Sequence, residues 1–136
     1  MSVAIMLFTR DLRIEDNPAL AAASRADRVI PLFVADPALL GGRHGSPNRV
    51  RFLQQSLDDL DERLRRLGAR LVLRTGDPVL EVGRLVRQHQ VTEIHLAADV
   101  SAYAMRRLHG LRQAAGEAGC RVQDHPGVTV LEAGAV

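Results

Sequence analysis

Residues 1–136 predict an α/β domain in which a parallel sheet carries helices on both faces. Three observations predict it. Apolar runs of strand length alternate with longer segments of helical period. The first run, residues 3–8, is apolar at every position, as a strand covered on both sides must be. Asn17-Pro18, Ser46-Pro47 and Asp77-Pro78 each stand ahead of a helical segment, where a capping side chain followed by proline opens a helix.

The elements follow in order. Residues 3–8, "VAIMLF", form the first strand, and the small residues after Asn17-Pro18 the first helix. Residues 28–36 form the second strand, with Pro31 inside it. Proline cannot donate to a ladder, so Pro31 predicts an edge position or a bulge. Residues 37–45 read as a loop with a short apolar turn. The long second helix starts at Ser46-Pro47, carries Val50, Leu53, Leu57, Leu60, Leu64 and Leu67 at three- and four-residue steps, and is closed by Gly68. Residues 69–75 form the third strand. Asp77 caps a third helix running to about Gln90, and residues 93–98 form the fourth strand. Asp99 or Ser101 caps a fourth helix that ends near Gly116–Gly119. Residues 120–125 form the fifth strand, and residues 128–136 hold a possible short strand. Five parallel strands joined by right-handed helical crossovers make a Rossmann-like three-layer sandwich, one domain without repeats.

Composition excludes several classes. Hydrophobic residues make up 46%, as a packed core requires, and no apolar run reaches the roughly 18 residues of a membrane span. The single cysteine, Cys120, excludes an intrachain disulfide and suits a reducing, cytoplasmic setting; it reads as a small core residue. All 18 cationic residues other than histidine are arginine, yet the net charge of +2 is too small to argue for nucleic-acid binding by this domain alone. Phe8, Phe33, Phe52 and Tyr103 are the only aromatic residues, too few for a base-stacking platform.

Ligands of open parallel sheets bind beyond the carboxyl ends of the strands, where the strand order switches. Arg10, Asp11, Arg13, Asp36, His44, Asp77, Asp99 and Ser101 collect in the loops at that end, although capping alone accounts for Asp77 and Ser101 and offers a role for Asp99. No G-x-G-x-x-G follows the first strand, no phosphate-binding loop with lysine exists, the five histidines lack metal-site spacing, and no nucleophile elbow is present. No catalytic residue and no metal ligand is therefore expected. Gly110, Gly116 and Gly119 are the only spaced glycines late in the chain, and they fall in or at the end of a helix, a poor match to a nucleotide-binding module.

Three motifs carry a resemblance. "FTRDLRIEDNPAL" (8–20) resembles the opening signature of DNA photolyases and blue-light cryptochromes. "SPNRVRFLQQSLDDLDERLRRLGARLVLRTGDP" (46–78) is similar to that family's helix, glycine, strand and Gly-Asp-Pro turn. "DVSAYAMRR" (99–107) resembles its fourth-helix start. The family often has Glu-Pro where Ser101-Ala102 stand and Arg-Asp where Arg107-Leu108 stand.

The resemblance implies that residues 1–136 are the amino-terminal antenna domain of a deoxyribodipyrimidine photolyase, a carbon–carbon lyase, or of a cryptochrome whose antenna site is empty. A helical domain holding FAD, the partner of this one, is expected beyond Val136, together with contact to damaged DNA; the 136 residues alone are expected to be inactive. The antenna pigment is expected to be a deazaflavin, with a reduced folate or a second flavin as alternatives. Val34 and Leu39 would wall it, Asp36, Arg49 and Leu53 would face the same space, and Asp99, Val100 and Tyr103 would close it. His44 is a possible contact for a folate. Two readings stand for Arg10, Asp11 and Arg13: they line the pigment cleft or dock the helical domain, or Asp11 pairs with the arginines and pins the loop across the sheet edge.

Overall fold

β1 (Val3–Phe8) lies at the middle of a five-stranded sheet of order β3-β2-β1-β4-β5, with every neighbouring pair parallel. The computed structural model describes residues 1–40 and 47–126. The expectations for His44, for Ser46 as a cap and for a strand within residues 128–136 lie outside the described residues.

All six residues of β1 are buried, and their alternation divides them between two cores. Ala4, Met6 and Phe8 pack with α1 (Pro18–Ala23) and with Leu57, Leu60 and Leu64 of α3 (Pro47–Arg66). Val3, Ile5 and Leu7 pack on the opposite face with α4 (Pro78–His89) and α5 (Ala102–Glu117). This is the predicted three-layer arrangement. α2 (Pro37–Leu40) is one turn, where a short apolar turn was expected.

Asn17 and Asp77 cap α1 and α4 as expected; Asp77 accepts from the backbone N–H of Val79 at 2.8 Å and of Leu80 at 3.4 Å. Of the two candidates at the start of α5, Ser101 is the cap, accepting from Ala104 N–H at 3.1 Å. Gly110 lets α5 approach α4: a Cβ there would meet Val79 Cγ2 at 2.9 Å.

Two expectations change. β2 (Arg28–Ala35) is an interior strand, so Pro31 is not on an edge strand. The backbone N–H of Arg28 points to β1, where it donates to Ser2 O, and alternation turns the nitrogen of Pro31 the other way. The ladder with β3 (Val72–Thr75) begins only at Leu32, so the missing donor faces no strand. β3 is also three residues shorter than predicted. Residues 69–71 instead close α3: Ala69 N–H donates to Leu64 O, and Leu71 N–H donates to Asp61 Oδ1 at 3.0 Å, holding the Asp61 carboxyl below its usual range.

β4 (Glu93–Ala97) and β5 (Arg121–His125) complete the sheet. Buried His95 joins Glu93 at 2.9 Å and His125 at 2.8 Å, a chain of three side chains across the two strands. Cys120 is buried in the core, and burial pushes its thiol up to about 11. No helix among the described residues is long and apolar enough to cross a membrane.

Candidate functional site

The chain runs from β1 to β2 on one side, then returns past β1 to place β4 on the other. The loops after β1 and β4 therefore part at the carboxyl end of the sheet, and a crevice opens there. Arg10 spans it, donating from Nη1 to Asp99 Oδ2 at 3.3 Å. Asp99 also accepts from Ser101 N–H at 3.1 Å, and these two donors, the backbone one first, hold its carboxyl below the usual range. The loop after β1 has a second tie, Arg63 to Glu15 at 3.2 Å. The loop is thus pinned, but by Asp99 and Arg63. Among the described residues neither Asp11 nor Arg13 makes an ion pair, so the pairing of Asp11 with the arginines is not what pins it.

A cavity of about 190 Å³ lies beside this crevice, under the ends of β1 and β2. Leu7, Phe8, Phe33, Val34 and Ala35 form its apolar side; Leu39 of α2, Leu53 of α3 and Pro78 of α4 surround it; Thr9, Asp36, Tyr103 and Arg107 are its polar residues. Asp36 terminates β2 and starts α2 by accepting from Ala38 N–H at 2.9 Å. Its other oxygen accepts from Tyr103 Oη at 2.6 Å, which joins the end of β2 to α5. Burial, and then the Asp36 carboxylate, push the Tyr103 hydroxyl up to about 12, so it stays a donor across the physiological range. Arg107, one turn beyond Tyr103 on α5, places its guanidinium carbon 5.4 Å from the centre of the Tyr103 ring.

Of the residues singled out in the sequence, Val34, Asp36, Leu39, Leu53 and Tyr103 come together in this cavity. Arg10 and Asp99 pair with each other and do not line it; Arg10 lines a neighbouring hollow with Thr9 and Leu53. Asp11 and Arg13 line a much smaller dent, with Asp16, Asn17 and His125, against α1. Val100 is 94% exposed, and Arg49 lies in the exposed first turn of α3. Leu7, Phe8, Thr9, Phe33, Ala35, Pro78 and Arg107 were missed. Phe33 and Pro78 have unambiguous structural roles that mask a second one, but Arg107 was legible: it stands four residues after Tyr103, on the same helical face.

The cavity offers apolar walls, one carboxylate, one phenol and one guanidinium. Among the described residues its lining includes no cysteine, serine or histidine. The spaced glycines give no phosphate loop, because Gly110 and Gly116 lie inside α5 and Gly119 turns the chain after it.

Residues 4–136 match the DNA photolyase family. A deoxyribodipyrimidine photo-lyase of Streptomyces griseus is 44% identical over 138 residues, covering 100% of this chain and 30% of its own length. Cryptochrome-1 of Spalax judaei is 34% identical over 120 residues, 88% of this chain and 20% of the relative. Among solved structures, an archaeal photolyase from Sulfolobus tokodaii, described as holding two FAD molecules with the implication of a novel light-harvesting cofactor, superposes with a TM-score of 0.80. It is 35% identical and matches 90% of this chain and 29% of its own. The chain thus spans about 20–30% of the length of the relatives it matches.

Proposed function

The chain belongs to the DNA photolyase family, and on that premise we propose that it is the amino-terminal antenna domain of a light-driven deoxyribodipyrimidine photolyase. Its own residues hold a pigment, and a helical domain elsewhere in the full-length protein holds FAD and meets damaged DNA, in a cytoplasmic setting. The observation that carries the reading is the cavity at the carboxyl ends of β1 and β2, apolar on its walls and polar at only a few fixed points. Sites that enclose a drug-sized ligand occupy roughly 300–1,000 Å³. A cavity of about 190 Å³ therefore suits a ring system with its tail outside, not an enclosed dinucleotide. We favour a deazaflavin, then a reduced folate or a second flavin.

When bound, the pigment would supply light absorption for transfer to the FAD of the helical domain. Protein residues fix the geometry of that transfer. Val34, Leu39 and Leu53, which line the cavity, would wall the ring and exclude water. The Asp36–Tyr103 bond fixes the distance between β2 and α5 on either side of it. Arg10 and Asp99 would tie together the loops after β1 and β4, and exposed Asp11, Arg13 and Val100 would meet the pigment's tail or dock the helical domain, with Arg49 on the exposed first turn of α3 as a further contact. No proton transfer or nucleophile is required of this domain.

Purified chain incubated with 8-hydroxy-5-deazaflavin, a reduced folate or FMN is expected to retain the first at one per chain after gel filtration. In the full-length protein, light absorbed by the pigment should then appear as flavin photoreduction. Retention of none of the three would favour the second reading, a cryptochrome with an empty antenna site, which the 34% identity to a cryptochrome supports.

A further inference from the structure

Within the cavity wall, Arg107 has no hydrogen bond or ion pair among the described residues, and its Nε is buried without any partner. A buried N–H of a cation left unpaired is costly, so a side chain kept in that state is expected to have a partner that arrives from outside. The wall itself does not supply one. The carboxylate of Asp36 is occupied by the Tyr103 hydroxyl at 2.6 Å and by Ala38 N–H at 2.9 Å. Tyr103 meets Arg107 through its ring, with the guanidinium carbon 5.4 Å from the ring centre, and no hydrogen bond joins the two. Thr9 is the remaining polar residue of the lining, and no hydrogen bond joins it to Arg107; the others are apolar.

From this geometry we infer that Arg107 reads the charge of the pigment: the ring that enters the cavity carries an anionic oxygen, a phenolate or enolate, that accepts from Arg107. This inference rests on the antenna reading and deepens it. The apolar walls bind any flat ring of suitable size, and Arg107 chooses among rings by the oxygen at the leading edge. A guanidinium N–H in a water-poor site rewards a charged acceptor far more than a neutral one.

The test compares two probes on the purified chain: 8-hydroxy-5-deazaflavin, which ionises at its hydroxyl, and its 8-methoxy ether, which cannot. Wild type is expected to bind the hydroxy compound, as its anion, roughly 10- to 100-fold more tightly than the ether, the range of one charge-assisted hydrogen bond. Arg107→Met keeps the side-chain stem and is expected to bring the two affinities together, while Arg107→Lys keeps part of the preference. The bound hydroxyl should also titrate about one to three pH units lower in wild type than in Arg107→Met. Equal affinity of wild type for the two probes, or a preference that survives in Arg107→Met, would overturn the inference, as would an equal loss of both probes, which marks Arg107 as packing alone. Failure of wild type to bind either probe overturns the antenna reading itself.

Discussion

The two ends of the sheet each carry a hollow, and the larger is the poorer candidate. At the amino end a groove of about 670 Å³ lies along Arg28–Pro31, the part of β2 that extends past β3. It exists because β3 starts only opposite Leu32, and its walls are the carboxyl ends of α3 and α4, with Arg28, Arg70, Arg74 and His89 along it. Cationic residues there offset the partial negative charge of helix carboxyl ends; Arg63, Arg65 and Arg66 in the last turn of α3 and Arg87 and His89 in that of α4 do the same. At the carboxyl end the hollow is about 190 Å³, yet parts of β1, β2, α2, α3, α4 and α5 converge on it, Tyr103 is bonded to Asp36 within it, and Arg107 Nε is buried without a partner among the described residues. Volume follows from where strands stop; a site follows from how many elements aim side chains at one point.

Blocking each hollow gives the largest contrast. Leu53→Trp fills the rim cavity and is expected to weaken deazaflavin uptake by roughly 10- to 100-fold, the scale of an overpacked site. Val29→Trp, in the amino-end groove, is expected to leave uptake unchanged in the same fluorescence titration. A reversal of the two results would move the site to the groove.

Stability separates the ends next. Tyr103→Phe removes the donor to Asp36 and is expected to cost about 1–2 kcal/mol in urea unfolding, since a hydrogen bond to a charged group is lost. At the amino end, Ser2→Ala removes two exposed bonds with Asp27, one donated to its carboxylate at 3.1 Å and one accepted from its backbone N–H at 2.9 Å, and is expected to cost less, about 0.5–1 kcal/mol.

Acid titration should then resolve the ends in sequence. Burial, and then His95, lower the pKa of His125 at the carboxyl end from 6.5. The unfolded chain therefore binds the proton first, and this contribution to stability is present above about pH 6.5 and lost as pH falls through the folded value. Asp27 and Asp61, at the amino end, are held below 3.8 chiefly by the backbone N–H groups of Ser2 and Leu71. Their contribution persists above about pH 3.8 and is lost only as pH falls through their lower folded values. Amide spectra followed from pH 7 to pH 3 should change around His125 before they change around Asp27 and Asp61. The smallest effect is expected from Arg10→Ala, because Arg10 is 76% exposed and such pairs are worth about 0–1 kcal/mol.

These contrasts also mark what the sequence made legible. Strands buried on both sides were plain from their apolar runs, and cap-plus-proline pairs marked α1 and α4, because both signals are local. β3 was overextended because residues 69–71 have strand composition but are spent closing α3 through Asp61, ten residues earlier. Pro31 was misplaced because the length of a neighbouring strand, not the strand itself, determines whether its nitrogen needs a partner. At the site, the ends of strands could be named, so Val34, Asp36 and Tyr103 were found. Which residue Asp36 holds could not be read from a separation of 67 residues, and Asp99, expected over the pigment, is shared with Arg10 and Ser101.

Mapping amide shifts while deazaflavin is added tests the central claim most directly, because it reports where the ligand sits and not merely whether it binds. The account predicts saturable changes at Ala35, Leu39, Leu53, Tyr103 and Arg107, with Arg28, Arg70 and Val72 unmoved. Changes confined to the amino-end residues, with a silent rim, would contradict it.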